Sequence, residues 1–377
     1  MKLKRIVACC FALFFILKGI LPVQAWDYEE LTTNAKACIV MEASTGRILG
    51  GQDVDERLPM ASTTKIMTSL LALERDDLDE WFEVDAQAIQ VEGSSMGLQE
   101  GDQVTLRTLL YGMLLPSGND AANATAVRIG GTQSKFVAKM NQKAAELGLE
   151  NTQFQNPSGL DAEGHYSTAY DMARLCAEAM KNETFREICC LSKAQVRFGN
   201  PPYSRWLENY NKLLTMYSHC IGVKTGFTEA AYRCLVSAAE QNGITLICVT
   251  LNCADDWAVH EMLYEHFFAQ METRSLTAHL PETLRLANSE IEVPVAAVYQ
   301  EDLPIRKEEE INCEILIQPM IFAPISKGSV LGEVIIRTDE TELLRTELIA
   351  AEDIADSTPE KEPSLIDRIA DFIIQLF

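Results

Sequence analysis

The sequence predicts a mixed α/β domain, its antiparallel sheet drawn from both ends of one stretch of chain around a helical cluster, followed by a small all-β domain. Three observations carry this prediction. Apolar residues alternate in strand fashion at 37–52 and again at 231–252, they recur at helical spacing between those stretches, and past about residue 276 only short strands separated by polar or Gly/Pro turns remain. A chain of 377 residues also suits two domains better than one.

The elements follow in order. The chain opens on Met-Lys-Leu-Lys-Arg, continues through an apolar run from Ile6 to Leu21 interrupted by Lys18 and Gly19, and reaches Pro22-Val23-Gln24-Ala25. A basic start, a short apolar core and a small-residue finish read as a secretory signal at 1–25, cleaved after Ala25; the alternative is a retained N-terminal anchor. In "ACIVMEASTGRILGGQ" the alternation turns over at Ser44-Thr45-Gly46, as in a hairpin. From Ser62 to Leu73 the apolar residues Ile66, Met67, Leu70 and Leu71 mark a helix with Ser62 at its start. The stretches "LRTLLYGMLL", "AANATAVRIG" and "SKFVAKMNQKAAELGL" predict further helices, as does "TAYDMARLCAEAMKN", with Ser167 expected as its cap.

Past Gly222, "AYRCLVSAAE" and "ITLICVTLN" flank the turn Gln241-Asn242-Gly243 and predict an antiparallel pair, and a helix through "VHEMLYEHFFAQM" closes a first domain at 26–275. Strands in "EIEVPVAAVY", "EEEINCEILI" and "SVLGEVIIR" predict a small β-sandwich at 276–352, which offers no obvious chemistry. A charged, Pro-bearing linker at 353–363 precedes "SLIDRIADFIIQLF". There Leu365, Ile366, Ile369, Phe372, Ile373, Leu376 and Phe377 share one helical face, opposite Asp367, Arg368, Asp371 and Gln375. Residues 364–377 are too few and too charged to span a bilayer, so they are expected to lie in its interface; the alternative is a last helix packed on the second domain.

Composition sets broad bounds. With 47% hydrophobic and 23% charged residues the chain is globular, and its formal charge of −23 argues against nucleic acid or a bare anionic lipid surface as main partner. Of eleven cysteines, Cys9 and Cys10 fall in the signal, and the other nine are odd in number and lack C-x-x-C spacing. That excludes a disulfide framework or a zinc site and suggests buried thiols used as small hydrophobes, with at most one or two bridges.

The chemistry is expected in three places. In "ASTTKIMT" the hydroxyl of Ser62 and the amine of Lys65 stand three residues apart, on one helix face. A serine needs a base to take its proton, and a lysine serves only if burial or nearby positive charge lowers its pKa, which the surrounding Ile66, Met67, Leu70 and Leu71 favour. In "LLPSGNDAANA" a turn between two helices presents Ser117 and Asn119. In "GVKTGFT" Lys224 and Thr225 sit on an apparent edge strand where they can hold an anion, and Gly226 lets a backbone pass close.

The order Ser-x-x-Lys, Ser-x-Asn, Lys-Thr-Gly is that of penicillin-binding proteins and serine β-lactamases. With "TQFQNPSGLDAEGHYSTAYDMA", the β-rich second domain and the amphipathic tail, the chain resembles the low-molecular-weight penicillin-binding proteins of the D-alanyl-D-alanine carboxypeptidase family across nearly all of its mature length. The resemblance implies a serine β-lactamase/DD-peptidase-like fold, export to the outer face of a bacterial membrane, no metal and no cofactor. It implies attack by Ser62 on the carbonyl between the terminal D-alanines of a peptidoglycan stem peptide, with Lys65 as base. Ser117 and Asn119 would relay a proton and hold the substrate amide. Lys224, Thr225 and Gly226 would bind the terminal carboxylate, and the N–H groups of Ser62 and Phe227 would form the oxyanion hole. β-Lactams would acylate Ser62.

Ser158 stands where many relatives carry His, Ala231 where Gly is common, and neither is expected to touch the chemistry directly. Where some relatives supply an arginine for the carboxylate, "CADDWAVHE" offers only His260. His165 is expected to be a surface or structural residue, Asp171 and Arg174 a helix-face pair, and Asp76, Asp77, Asp79 and Glu80 a solvated loop. A β-lactamase would share the three motifs but needs a deacylating glutamate, and no Glu-x-x-Leu-Asn lies between Leu149 and Tyr170. A scaffold protein that retained the fold would show a lost Ser62, Lys65 or Lys224.

Overall fold

The computed structural model describes residues 28–276, 280–285, 292–299, 302–318, 321–338 and 341–355. The expected signal (1–25) and amphipathic tail helix (364–377) lie outside them. Among the described residues no helix is long and apolar enough to cross a membrane. The described residues form two compact units, one of 28–41, 48–238 and 247–261, the other of 42–47, 239–246 and those described from 262 onward.

The alternating stretches form the main sheet. β1 (Glu29–Glu30), β2 (Ala37–Glu42), β3 (Ile48–Gln52), β8 (Cys220–Thr228), β9 (Tyr232–Gln241) and β10 (Ile244–Leu251) run in the order β1-β3-β2-β10-β9-β8. β2 and β3 pair antiparallel as the hairpin pattern requires, β2 lies beside β10 so the domain's ends meet, and β8 is left on the edge.

The helical cluster comprises α1 (Lys65–Leu73), α2 (Leu106–Leu114), α3 (Asn119–Gly130), α4 (Gln133–Glu146), α5 (Ala169–Met180), α6 (Glu183–Cys189) and the short α7 (Leu213–Met216). Ile66, Met67, Leu109, Leu110, Met113, Phe136, Met140, Met172 and Leu175 form its buried side. Side-chain oxygens satisfy the first-turn amides: Thr105 accepts from Thr108, Thr132 from Lys135 and Asn182 from Phe185. For α5 the cap is Thr168, accepting from Asp171 N at 3.0 Å, and not Ser167, whose backbone instead bridges to Leu58.

A further hairpin, β6 (Lys193–Gly199) and β7 (Pro202–Glu208), joins the short β4 (Phe82–Glu83) and β5 (Gln103–Val104). Its period-2 signal is local: the buried Ala194, Val196 and Phe198 alternate along β6 and are followed by the turn at Asn200-Pro201. α8 (Asp256–Gln270) follows the sheet.

β11 (Met271–Ser275) pairs antiparallel with β14 (Asp302–Arg306), so the β-rich second unit takes in chain ahead of the expected change of character at 275/276. A five-stranded sheet of β12 (Thr283–Arg285), β13 (Glu292–Ala297), β17 (Thr341–Ala350), β16 (Val330–Thr338) and β15 (Ile311–Ile317) stands in that order. Leu303 and Ile305 of β14 pack against Val334, Ile336 and Leu348 of β16 and β17 to make this unit's core.

All nine cysteines among the described residues are free, and all but Cys190 and Cys313 are buried. The acidic run is solvated as expected at Asp76, Asp79 and Glu80, which are exposed, while Asp77 is half-buried; Asp77 pairs with Arg75 and Arg128, Asp79 with Arg107, and Glu80 with Arg128.

Candidate active site

Ser62 stands in a tight 3₁₀ turn, Ala61–Thr64, that runs straight into α1. Ala61 enters it with φ of 47°, a left-handed conformation rare outside glycine. One turn on, Lys65 is wholly buried, and its Nζ lies 2.8 Å from Ser62 Oγ, 2.7 Å from Asn119 Oδ1 and 2.6 Å from the Ser158 carbonyl. Burial holds the Lys65 pKa well below the ordinary lysine value, Lys224 lowers it further, and Asp120 acts in the opposite sense.

The three partners dictate what a neutral Lys65 does. Amide and carbonyl oxygens only accept, so Asn119 Oδ1 and Ser158 O take the two hydrogens of the free amine. The lone pair is left facing the Ser62 hydroxyl, which is the geometry of a general base 2.8 Å from its proton donor.

Ser158, expected to stand apart from the chemistry, therefore touches it through its backbone. The loop that presents its carbonyl is shaped by Asn156, whose Oδ1 accepts from Ser158 N at 3.2 Å and Gly159 N at 2.7 Å, an Asx turn. Thr68 Oγ1 donates to Pro157 O at 2.7 Å and ties the loop to α1. Gly159, at φ of 90°, is packed so tightly that an added Cβ would lie 1.9 Å from Ala61 O.

The second motif is delivered by the turn before α3. Ser117 is buried with φ of 62°, and Asn119 opens the helix. The Asn119 amide is oriented by Nδ2 donating to Glu92 O at 2.8 Å, which turns Oδ1 toward Lys65.

The third motif comes from the edge strand β8. A Cβ on Gly226 would lie 3.1 Å from Ser62 N and 3.1 Å from Met60 O, so this strand runs directly along the turn that carries Ser62. Lys224 is buried, donates to Thr225 O at 2.8 Å, and has its pKa pushed down to about 7 by burial. Phe227 is 64% exposed on the same strand. Thr228 Oγ1 donates to Asp161 Oδ1 at 2.7 Å, joining β8 to the loop after Gly159.

Two expectations need correction, for His260 and for the Asp171–Arg174 pair. His260 is fully buried with Nδ1 2.6 Å from Ser237 Oγ and Nε2 2.9 Å from Thr250 Oγ1, and burial drives its pKa to about 3. It is a neutral core residue, not a cation offered to substrate. His165 takes the structural one of its two expected roles: it is buried, and Nδ1 accepts from Gln155 N at 2.9 Å, so Nε2 carries the hydrogen and donates to Thr64 Oγ1 at 2.8 Å. Asp171 and Arg174 turn to other partners, Asp171 accepting from Asn151 N and Thr152 Oγ1, and Arg174 donating to the carbonyls of Leu147 and Gly148 past the end of α4.

Comparison with known proteins identifies the family. Residues 24–255 match the family model described as D-alanyl-D-alanine carboxypeptidase. The chain is 35% identical to D-alanyl-D-alanine carboxypeptidase DacF of Bacillus subtilis over 86% of this chain and 87% of that protein. It is 30% identical to D-alanyl-D-alanine carboxypeptidase DacC of Escherichia coli over 93% and 90%. The crystal structure of the D-alanyl-D-alanine carboxypeptidase DacD from Francisella tularensis superposes with a TM-score of 0.62 at 26% identity, covering 86% of this chain and 95% of that one.

Proposed function

The chain belongs to the D-alanyl-D-alanine carboxypeptidase family, and on that premise we propose that Ser62 is its acylated nucleophile and Lys65 the base that activates it. The reaction is serine-type hydrolysis of the bond between the two terminal D-alanines of a peptidoglycan stem peptide, a step in cell-wall synthesis and remodelling, and proteins of this family are acylated by β-lactams.

The single observation that carries the residue assignment is the three-way setting of Lys65 Nζ between Ser62 Oγ, Asn119 Oδ1 and Ser158 O. Ser62 Oγ attacks the penultimate D-alanine carbonyl as its proton passes to Nζ. The N–H groups of Ser62 and Phe227 stabilise the oxyanion. The proton then reaches the leaving amine by way of Ser117, the C–N bond breaks, and D-alanine departs. Water attacks the ester with Lys65 again as base and frees the shortened peptide. Lys224 and Thr225 hold the substrate's terminal carboxylate, with Gly226 leaving the backbone room for it, and Asn119 holds the substrate amide.

Residues 1–25 direct export and residues 364–377 dock on the outer face of the cytoplasmic membrane, a reading supported by their charge and apolar spacing alone. Incubating the mature protein and its Ser62→Ala variant with a peptide ending in D-Ala-D-Ala tests the residue assignment. Free D-alanine from the parent and none from the variant is expected; equal release from both would refute Ser62 as nucleophile.

A further inference from the structure

We propose that Asp120 is a positioning residue for acyl transfer: its carboxylate fastens the Ser94–Leu98 loop to the Ser117–Asn119 turn and so fixes the amide that faces Lys65. This rests on the reading of Ser62 and Lys65 given above. None of the three sequence motifs includes Asp120.

The side chain is 1% exposed, and both oxygens act only as acceptors. Oδ1 accepts from Met96 N at 3.0 Å and Ala121 N at 2.9 Å; Oδ2 accepts from Ser95 Oγ at 2.6 Å, Gly97 N at 3.1 Å and Leu98 N at 3.0 Å. Four of these five donors come from the loop, so the one buried carboxylate binds it to the first turn of α3, where negative charge is favoured. Gly118 is small because that contact fills its space: a Cβ there would lie 2.6 Å from Asp120 Oδ1 and 3.0 Å from Met96 N.

The loop in turn decides which way Asn119 faces. Asn119 N donates to Ser94 O at 2.7 Å and Nδ2 to Glu92 O at 2.8 Å, which leaves Oδ1 for Lys65. Were the loop to withdraw, the amide could rotate and offer Nδ2, a donor, to the amine. On its far side the loop is held by Arg205, which donates to Gly97 O at 2.9 Å while stacked over the Phe198 and Tyr203 rings. Asp120 thus acts through Asn119 on the proton acceptor of the reaction, and its charge acts on Lys65 directly.

The charged groups that bear on Lys65 are Lys224, which lowers its pKa, and Asp120, which raises it; Ser62, Asn119 and the Ser158 carbonyl are neutral. Replacing Asp120 with Asn keeps the volume, turns one acceptor into a donor facing N–H groups, and removes the charge. The Lys65 pKa then falls, so the acid limb of the rate profile moves to lower pH.

The test measures acylation by a chromogenic β-lactam against pH, together with thermal unfolding, for the parent, Asp120→Asn and Ser95→Ala, with Ser62→Ala as blank. Expected for Asp120→Asn is a fall of about tenfold to hundredfold in the plateau rate and an acid limb shifted down. Ser95→Ala, which removes one donor and keeps the charge, should slow acylation less and leave the limb in place. A folded Asp120→Asn protein with the parental rate overturns the proposal, as does a slowed one with an unmoved limb. If Asp120→Asn does not fold, a parental rate for Ser95→Ala overturns it. A folded parent that fails to acylate refutes the reading of Ser62 instead.

Discussion

Replacing Gly159 with Ala should damage catalysis from outside the three motifs. At φ of 90° an alanine is strained by about 1–3 kcal/mol wherever it sits. The new Cβ would lie 1.9 Å from Ala61 O, 2.4 Å from Ala61 C and 2.9 Å from Ser62 N, all backbone atoms with no flexible end to swing away. Tolerable contact begins near 3.0 Å, so loop and 3₁₀ turn must separate by about 1.1 Å. Ser158 O, one residue earlier, would retreat from 2.6 Å to roughly 3.7 Å from Lys65 Nζ, too far for a hydrogen bond. A buried N–H left unpaired costs about 1–3 kcal/mol more, and displacing the nucleophile turn by an ångström lowers the rate by about 100-fold. Release of D-alanine and thermal unfolding, measured on the same preparations, check this. A folded Gly159→Ala protein whose kcat/KM stays within about threefold of the parent would refute the reasoning, since the 100-fold loss rests on that displacement.

Further outcomes follow from the buried cations and caps. Lys224 carries its charge only below about pH 7 in the free protein, so KM for a D-Ala-D-Ala peptide should rise as pH increases through that value; a KM flat from about pH 6 to 9 would contradict its role as carboxylate anchor. His165 is held neutral down to about pH 4, so the unfolded chain binds the extra proton first as pH falls from 6.5. Stability should drop over that window by at most about 3 kcal/mol, and thermal unfolding of His165→Asn should show a flatter pH dependence. Thr168→Ala removes the cap of α5 and should cost about 1 kcal/mol by denaturant unfolding, whereas Ser167→Ala should not act through that cap. In the second unit Arg47 pairs with Glu309 through both guanidinium nitrogens, each side chain 12% exposed. Arg47→Ala should destabilise by about 3 kcal/mol by leaving Glu309 half-buried without its cation, and an unchanged unfolding midpoint would show the pair to be neutral.

Much of this protein was legible in one dimension because its signals are local. The hairpins of β2–β3 and β9–β10 follow from period-2 alternation around Gly-bearing turns, and α1, α2 and α5 follow from apolar spacing within a turn or two. The three motifs named Ser62, Lys65, Ser117, Asn119 and Lys224, and Gly226 was anticipated as the point of close backbone approach. Only tertiary structure decided what Lys65 touches, since its partners lie 54 and 93 residues away and one of them is a carbonyl that any residue could supply. The same holds for Asp120, whose loop partners are 22 to 25 residues distant. His260 looks basic in sequence and is a neutral core group because burial between Ser237 and Thr250 disfavours its charge. Periodicity records which face of an element is buried; which polar atom meets which across the core depends on how the elements pack, and no local pattern encodes that.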